Sequence, residues 1–317
     1  MFTLGAGSVD RNWSFSPKTS LILSSNARPV KSIYLSFNNE MGFQSEYVSW
    51  LGPTSIEFFN GITEGPLNPK ESMLIGTRIV IKPLKKLNIE LFRTAQWGGE
   101  GYNHNLNSFL NTLSMQDTNV GKNEHVNQLA GIGLSYNLNT LQSPILLYSQ
   151  IAGEDESGNL PSCLIYLAGI QWEGSLFNLP TTFGIETIDT RVGRTKNGNC
   201  GVNTAYNNNT YKYTNYGKVM GVDIDTEGKA FEIYGNTLFQ NDLSIDYSYK
   251  NITINDADWS LHRLSSSRET GSISSIGLVK KSGNIKLTGQ IRYHSLSLDK
   301  SNIKDGVNIA SILSIKF

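Results

Sequence analysis

The chain has 317 residues, and its 27 Lys and Arg side chains balance its 27 Asp and Glu side chains, so the net charge is zero. A chain without net positive charge lacks the long-range attraction to phosphates that nucleic-acid-binding proteins use. The sequence contains no run of about 18 consecutive apolar residues, which argues against a membrane-spanning helix. The start, Met1 to Gly5, resembles no secretory signal, so we expect an N-terminally shortened form of an exported protein.

Fourteen segments have the pattern of β-strands. The clearest are 242–250 and 285–294, in which apolar and polar residues alternate along the whole segment. Strands that cross a membrane need about 9–11 residues, whereas strands of soluble proteins average about five or six. In chain order the segments are 19–24, 31–37 and 53–60, which are the weakest, then 72–82, 86–95, 128–138, 144–151, 162–172, 181–190, 229–239, 242–250, 271–280, 285–294 and 306–317.

The connections between these segments alternate in length, as in outer-membrane barrels, which have short periplasmic turns and long outer loops. The long connections are 96–127, 191–228, 252–270 and 296–305; those between them are shorter, although 152–161 is of intermediate length. The last segment ends in Phe317, an ending typical of strands that the barrel-assembly machinery inserts. The sequence predicts an all-β fold, an antiparallel transmembrane β-barrel with about 12–14 strands, in one domain over residues 1–317.

The residues that could carry out chemistry are few. Cys163 and Cys200 can form one disulfide bridge or remain two thiols, and the sequence leaves both alternatives open. The four histidines lie in no recognised hydrolase or zinc motif. We therefore expect no metal, no cofactor and no enzymatic activity.

A cluster of polar and aromatic residues begins at the end of segment 86–95 and continues into the next connection. It could bind a sugar, because a flat ring stacks on a pyranose while planar polar groups take paired hydroxyls. It could equally fold inward and seal the lumen, with an ion pair between its Arg and Glu. The candidate residues are Arg93, Gln96, Trp97, Glu100 and Tyr102.

Three further loops offer weaker candidates for binding polysaccharide. Glu154, Asp155 and Glu156 could hold calcium, but a solvated acidic turn fits them better because the order of a calcium loop is missing. Trp259 and Arg263 form a second possible sugar surface. Tyr206, Tyr211, Tyr213 and Tyr216 could contact a polymer or lipopolysaccharide sugars, although a floppy loop with interfacial aromatics is the simpler interpretation.

Five stretches resemble one known family in order and spacing, the capsule assembly protein Wzi family. They are 20–29 (SLILSSNARP), 49–53 (SWLGP), 93–101 (RTAQWGGEG), 128–131 (QLAG) and 153–162 (GEDESGNLPS). The resemblance implies a monomeric outer-membrane barrel of roughly 18 strands with an N-terminal helical plug. In this chain the plug and the first strands are not evident.

The resemblance also implies a function. We expect a non-enzymatic protein of the bacterial outer membrane that attaches or assembles capsular polysaccharide, acting as a lectin. Its expected partners are capsular polysaccharide, outer-membrane lipid and lipopolysaccharide, and the barrel-assembly machinery during insertion, with no nucleic acid. The alternative is a porin or substrate-selective channel, which would conduct ions where a sealed lectin would not.

Overall fold

The computed structural model describes residues 1–114, 125–140, 143–157, 160–192, 200–301 and 303–315, and in 139–140, 155–157 and 160 it describes the backbone alone. These residues form one α-helix, α1 (Leu106–Leu113), and a 3-10 turn at Ser49–Leu51. None of the described helices is long and apolar enough to cross a membrane. The strands are β1 (Phe2–Ser8), β2 (Lys31–Asn39), β3 (Thr54–Ile62), β4 (Met73–Leu84), β5 (Leu87–Trp97), β6 (Val126–Thr140), β7 (Ser143–Ser157), β8 (Leu160–Leu176), β9 (Leu179–Asp189), β10 (Thr214–Asn215), β11 (Lys218–Val219), β12 (Lys229–Phe239), β13 (Leu243–Ile254), β14 (Glu269–Ser282), β15 (Ile285–His294) and β16 (Gly306–Ile315).

Fourteen of these strands form one sheet, in the order β1 to β9 followed by β12 to β16, and β10 and β11 pair separately. Nearly all neighbours in the sheet are consecutive along the chain, and every pair with a described register is antiparallel. This confirms the predicted all-β antiparallel class. The wide hydrogen-bonded sheet follows from the alternating segments, because each strand satisfies its backbone groups with the next strand along the chain.

Thirteen of the fourteen predicted strands are confirmed, and one is wrong. Residues 19–24 form no strand; Leu21 and Ile22 are fully buried within an irregular segment. Strand β1 was not predicted from the sequence, because its two glycines weaken the alternating pattern. The predicted connection 152–161 is also wrong, because β7 continues to Ser157 and β8 already starts at Leu160. Hydrogen bonding to neighbouring strands keeps these polar residues extended where composition alone suggests a loop.

The chain divides into two compact units, which are described separately. Unit 1 comprises 1–136, 149–167 and 190–226, and unit 2 comprises 137–148, 168–189 and 227–317. The single domain over 1–317 stays a prediction.

The sheet of unit 1 has one apolar face and one covered face. Cross-strand partners point to the same face, so Leu91 of β5 shares a face with Ile79 of β4 and Ile132 of β6. Leu91 and Ile132 are exposed, and this is the apolar face. Glu90, one residue away, is fully buried on the other face, the covered face. The strand ends at Ser8, Ile62 and Trp97 lie at one end of this sheet, here named the long-loop end.

The sheet of unit 2 also has an apolar face. Tyr247, Ile276, Ile291 and Ile309 are neighbours across β13, β14, β15 and β16 and form part of it. The opposite face is polar, and Gln290 lies on it. Farther along this polar face Tyr148 donates a hydrogen bond to Glu186 at 2.9 Å and contacts the hydroxyl of Tyr234 at 3.2 Å. The alternation predicted for 285–294 is therefore the alternation between these two faces.

The two faces of β15 predict opposite tolerance of charge. The substitution Ile291→Lys should lower the free energy of unfolding by roughly 2–4 kcal/mol, because a lysine on a lipid-facing strand position loses its hydration. Gln290→Lys should change it far less, since this side chain lies on the polar face. The measurement is denaturant unfolding in phospholipid vesicles. Equal losses in the two variants would mean that the apolar face does not contact lipid.

Candidate functional site

Residues 9–30, which connect β1 to β2, fold onto the covered face of unit 1 and are here named the first inserted segment. Trp13 of this segment is buried and meets Phe59 of β3 edge-on at 5.5 Å between ring centroids. The side-chain amide of Gln150 donates to the carbonyl of Trp13 at 2.6 Å, and its oxygen accepts from the backbone of Leu21 at 2.7 Å. These contacts join the segment to β3 and β7 and exclude water from that part of the face.

Residues 200–226 form the second inserted segment, and three buried tyrosines bind it to unit 1. The hydroxyl of Tyr206 donates to the carbonyl of Leu21 at 2.7 Å, and that of Tyr211 donates to the carbonyl of Gly98 at 2.8 Å. The hydroxyl of Tyr213 lies 2.7 Å from that of Thr94. Burial raises the pKa of all three hydroxyls. The interpretation of this stretch as a floppy loop is wrong, because the rings are fully buried core residues.

A disulfide joins Cys163 of β8 to Cys200 at the start of the second inserted segment, 37 residues away. This decides between the two alternatives that the sequence leaves open. The sulfur bridge and the carboxylate of Glu154, which accepts from the backbone of Tyr206 at 2.7 Å, hold the segment to β8 and β7. The described residues contain no group of three His, Cys, Asp or Glu that could hold a metal ion. The side chains of Asp155 and Glu156 lie outside the described residues.

Three of the predicted sugar-binding residues lie in β5 and not in a loop. Gln96 is fully buried on the covered face, where its amide donates to the carbonyl of Lys212 at 2.9 Å. Trp97 is 4% exposed and packs against Phe109 of α1, with 5.8 Å between ring centroids. Arg93 donates to the side chain of Gln128 and to the carbonyl of Thr112. The sequence leaves open whether the ring of Trp97 stacks on a sugar or folds inward, and in the structure α1 covers the ring.

The other predicted residues lie at or near the surface. In unit 1, Glu100 is exposed, and Tyr102 is half-buried between the rings of His125 and Tyr211. In unit 2, Trp259 and Arg263 are half-buried in the connection between β13 and β14. Hydrogen bonds order this connection: Asn255 accepts from the backbone of Trp259 at 2.8 Å and donates to the carbonyls of Trp259 and Ser265.

The long-loop end of unit 1 carries a cluster that was not predicted as a group from the sequence, here named the Tyr216 cluster: Arg28, Lys31, Glu64 and Tyr216. The hydroxyl of Tyr216 donates to one oxygen of Glu64 at 2.5 Å, and Lys31 binds the other at 2.9 Å. The guanidinium of Arg28 lies 4.8 Å from the centre of the Tyr216 ring. Tyr216 and Glu64 are 152 residues apart, so no local pattern could have found the cluster.

The backbone beneath the Tyr216 cluster is built to hold it. Buried Asn215 accepts from the backbone of Glu64 at 2.8 Å and donates to the carbonyl of Arg28 at 2.9 Å. Gly65 has φ +126°, and a Cβ there would lie 3.1 Å from the backbone of Tyr216 and Gly217. The hydrogen bond from Tyr216 and the nearby Lys31 lower the pKa of Glu64 below its ordinary value of 4.5. Glu64 is therefore charged at neutral pH, where it can accept from both Tyr216 and Lys31.

The family model of the capsule assembly protein Wzi matches residues 1–305. The chain belongs to the Wzi family. A curated relative, an uncharacterized 55.8 kDa protein in the cps region of Klebsiella pneumoniae, is 30% identical over 194 residues. That match covers 60% of this chain and 38% of the relative, so the chain spans well under half of the relative's length.

Solved structures show the fold of this Wzi-family chain. The Escherichia coli protein Wzi, described as an outer-membrane protein involved in group 1 capsule assembly and a carbohydrate-binding β-barrel, is 22% identical. The match has a TM-score of 0.85 and covers 100% of this chain and 68% of that one. Pseudomonas aeruginosa OprD is 8% identical with a TM-score of 0.52, over 96% of this chain and 73% of that one. The predicted outer-membrane β-barrel class and location are confirmed, and the apolar faces are the lipid-facing ones.

Proposed function

We propose that this Wzi-family protein binds capsular polysaccharide at the cell surface through the long-loop end of unit 1, and that it does so without catalysing a reaction. The observation that carries the proposal is the Tyr216 cluster, an exposed aromatic ring between charged groups at the end of the sheet. Two comparisons support the ligand class: the family match, and the description of Escherichia coli Wzi as a carbohydrate-binding β-barrel.

The Tyr216 cluster has the groups that a sugar needs. The Tyr216 ring is 41% exposed and offers an apolar surface on which the C–H face of a pyranose can stack. Glu64 can accept hydrogen bonds from hydroxyls, and the exposed Lys31 and Arg28 can donate to them. Arg28 can also bind a uronate carboxylate with two parallel hydrogen bonds. Because buried Asn215 fixes the backbone on which these groups stand, little conformational entropy is lost when a ligand binds.

The predicted sugar-binding residues enter the proposal in two roles. Glu100 and Tyr102 in unit 1, and Trp259 and Arg263 in unit 2, remain proposed contacts to the polymer, since each is at least partly exposed. The remaining described residues, Arg93, Gln96, Trp97 and Glu154, are proposed to act through the surfaces that they support. A repeating polymer can engage several weak contacts at once, and effective concentration then makes its retention stronger than any single contact.

The remaining partners predicted from the sequence belong to the same proposal. They are outer-membrane lipid and lipopolysaccharide around the apolar faces, and the barrel-assembly machinery during insertion of a monomer. The proposal favours a sealed lumen over a conducting channel, because both inserted segments pack onto the covered face of unit 1 and contribute fully buried side chains there.

The test compares Tyr216→Ala and Tyr216→Phe with the control Tyr47→Ala in the full-length protein. Tyr47 is 90% exposed and lies in the connection between β2 and β3, at the opposite end of unit 1. Stacking of a flat ligand on an aromatic ring contributes about 1–3 kcal/mol. Tyr216→Ala should therefore weaken polysaccharide binding by roughly 5- to 150-fold, whereas Tyr216→Phe keeps the ring and should lose much less.

Two readouts are needed, cell-bound against released polysaccharide in intact cells and binding of purified polysaccharide to the purified protein. Heat-modifiable gel mobility checks that each variant is folded. Tyr47→Ala should behave as wild type. Unchanged binding by folded Tyr216→Ala would remove the Tyr216 cluster from the binding surface.

A further inference from the structure

The helix α1 has its three leucines on the side away from the protein. Leu106, Leu110 and Leu113 are 70%, 48% and 38% exposed, whereas Ser108 and Thr112 are buried. Leu106, Leu110 and Leu113 repeat at intervals of four and three residues, so they form one stripe along the helix. A helix on a water-exposed surface turns such a stripe inward. The reversed arrangement of α1 indicates that its outer side contacts an apolar medium.

Three contacts fix this orientation. The side chain of Asn105 caps the first turn by accepting from the backbone of Ser108 at 2.9 Å. Phe109 packs against Trp97 of β5. Arg93 donates to the carbonyl of Thr112 at 2.7 Å, which places a positive charge at the C-terminal end of the helix dipole. The helix is therefore held with its leucines pointing outward.

The helix lies on the lipid-facing side of the sheet. Trp97 follows Leu91 by six positions in β5, so both side chains point to the apolar face. The cross-strand partners of Trp97, Met73 and Val126, form an apolar cluster with it, against which Phe109 packs. The leucine stripe of α1 thus continues the apolar face of unit 1 at its long-loop end.

The position of α1 along the membrane normal matches the border of the apolar band. Strand β5 has 11 residues, and at about 3.3 Å per residue and a tilt of about 40° it rises roughly 25 Å. The apolar band of an outer-membrane barrel is also about 25 Å tall and ends in aromatic girdles. If the band begins near Leu87, Trp97 lies at its opposite border. The helix that covers Trp97 then lies where acyl chains meet headgroups.

We propose that α1 is an interfacial helix, which inserts Leu106, Leu110 and Leu113 among the acyl chains at the membrane boundary of the long-loop end. Amphipathic helices lie in this boundary with their apolar side about 5–10 Å deep. Arg93 and Trp97 hold the helix in place. Lipid covers the stripe, because the stripe is continuous with the face that lipid already covers. The proposal is independent of polysaccharide binding.

A spin label at Leu110→Cys tests the proposal in the full chain, reconstituted in phosphatidylcholine vesicles. Cys163 and Cys200 are bridged, so only the new thiol reacts. The measurement is the collision rate of the label with oxygen, which concentrates in lipid, relative to a water-soluble nickel chelate. Labels at Ile132→Cys, on the apolar face of β6, and at the exposed Glu100→Cys are the lipid and water references.

The ratio of oxygen to nickel collisions at Leu110 should approach that at Ile132 and exceed that at Glu100 several-fold. Labels moved one at a time through 106–113 should show high ratios at the three leucines and lower ratios at Asn107 and Asn111. A ratio at Leu110 equal to that at Glu100 would overturn the proposal. A label shielded from both reagents would also overturn it, since the stripe would then be covered by protein, such as a second copy of the chain.

Discussion

Removal of the Glu90 carboxylate should lower the free energy of unfolding by about 3–5 kcal/mol, the cost of leaving a buried ionic partner uncompensated. Glu90 is fully buried on the covered face of unit 1. One of its oxygens accepts from the guanidinium of Arg78 at 2.6 and 2.9 Å, and the other accepts from Gln150 at 3.0 Å. The variant Glu90→Ala would leave the guanidinium of Arg78 without this carboxylate and would also leave a cavity.

The double variant Arg78→Met, Glu90→Leu is the control that separates lost charge pairing from lost packing. It removes both charges and keeps most of the volume, so it should recover a large part of the loss. Denaturant unfolding in phospholipid vesicles measures Glu90→Ala, the double variant and its two single variants, Arg78→Met and Glu90→Leu. If the double variant is as unstable as the sum of its single variants, Arg78 and Glu90 do not act as a pair. Gly133 belongs to the same arrangement, because a Cβ there would lie 2.1 Å from a Glu90 oxygen.

Loss of the Cys163–Cys200 bridge should cost about 4 kcal/mol. The bridge closes a loop of 37 residues, and the chain entropy that such a loop loses in the unfolded state has about this magnitude. Cys163→Ser, Cys200→Ser should therefore unfold at a lower denaturant concentration than the oxidised protein. Wild-type protein kept under reductant is the matched comparison, because its disulfide is broken without any substitution.

The same bridge provides a test of the sealed lumen. Single-channel conductance of the full-length protein should be close to zero when the bridge is intact, and opening events should appear when the bridge is absent, because the second inserted segment then loses its covalent attachment to β8. Equal unfolding midpoints of the oxidised and reduced proteins would contradict the stability prediction. High conductance of the oxidised protein would instead favour the channel alternative.

Reassignment of the predicted sugar-binding residues changes how they should respond to substitution. Trp97 and Arg93 hold α1 to the apolar face, so changes there should release the helix and act on lipid contact. Changes at Tyr216 should act on polymer binding, since its ring stands at the end of the sheet. The short stretch RTAQWGGEG thus contains residues that lie on the covered face, on the lipid-facing side and at the surface.

Strand positions and face assignment were predictable from sequence, because alternation is a local property of the chain. Ile291 and Gln290 follow one another in a strand and therefore point to opposite faces. Contact with the bilayer requires an apolar residue on one face only, so polarity alternates along the strand. The long connections follow from composition in the same way. A strand with glycines in place of packed side chains, β1, gives too weak a local pattern and was missed.

The inserted segments, the Tyr216 cluster and the position of α1 were decided only by the tertiary structure. Leu21 and Ile22 were predicted to lie in a strand because they are apolar. An irregular segment that is buried against Tyr206 and β7 requires apolar residues just as a strand does. Trp97 continues the alternation of β5, which cannot reveal that a helix from the next connection covers it. Arg28, Glu64 and Tyr216 meet because backbone hydrogen bonds bring distant connections together, and contacts between residues so far apart leave no periodic trace in the sequence.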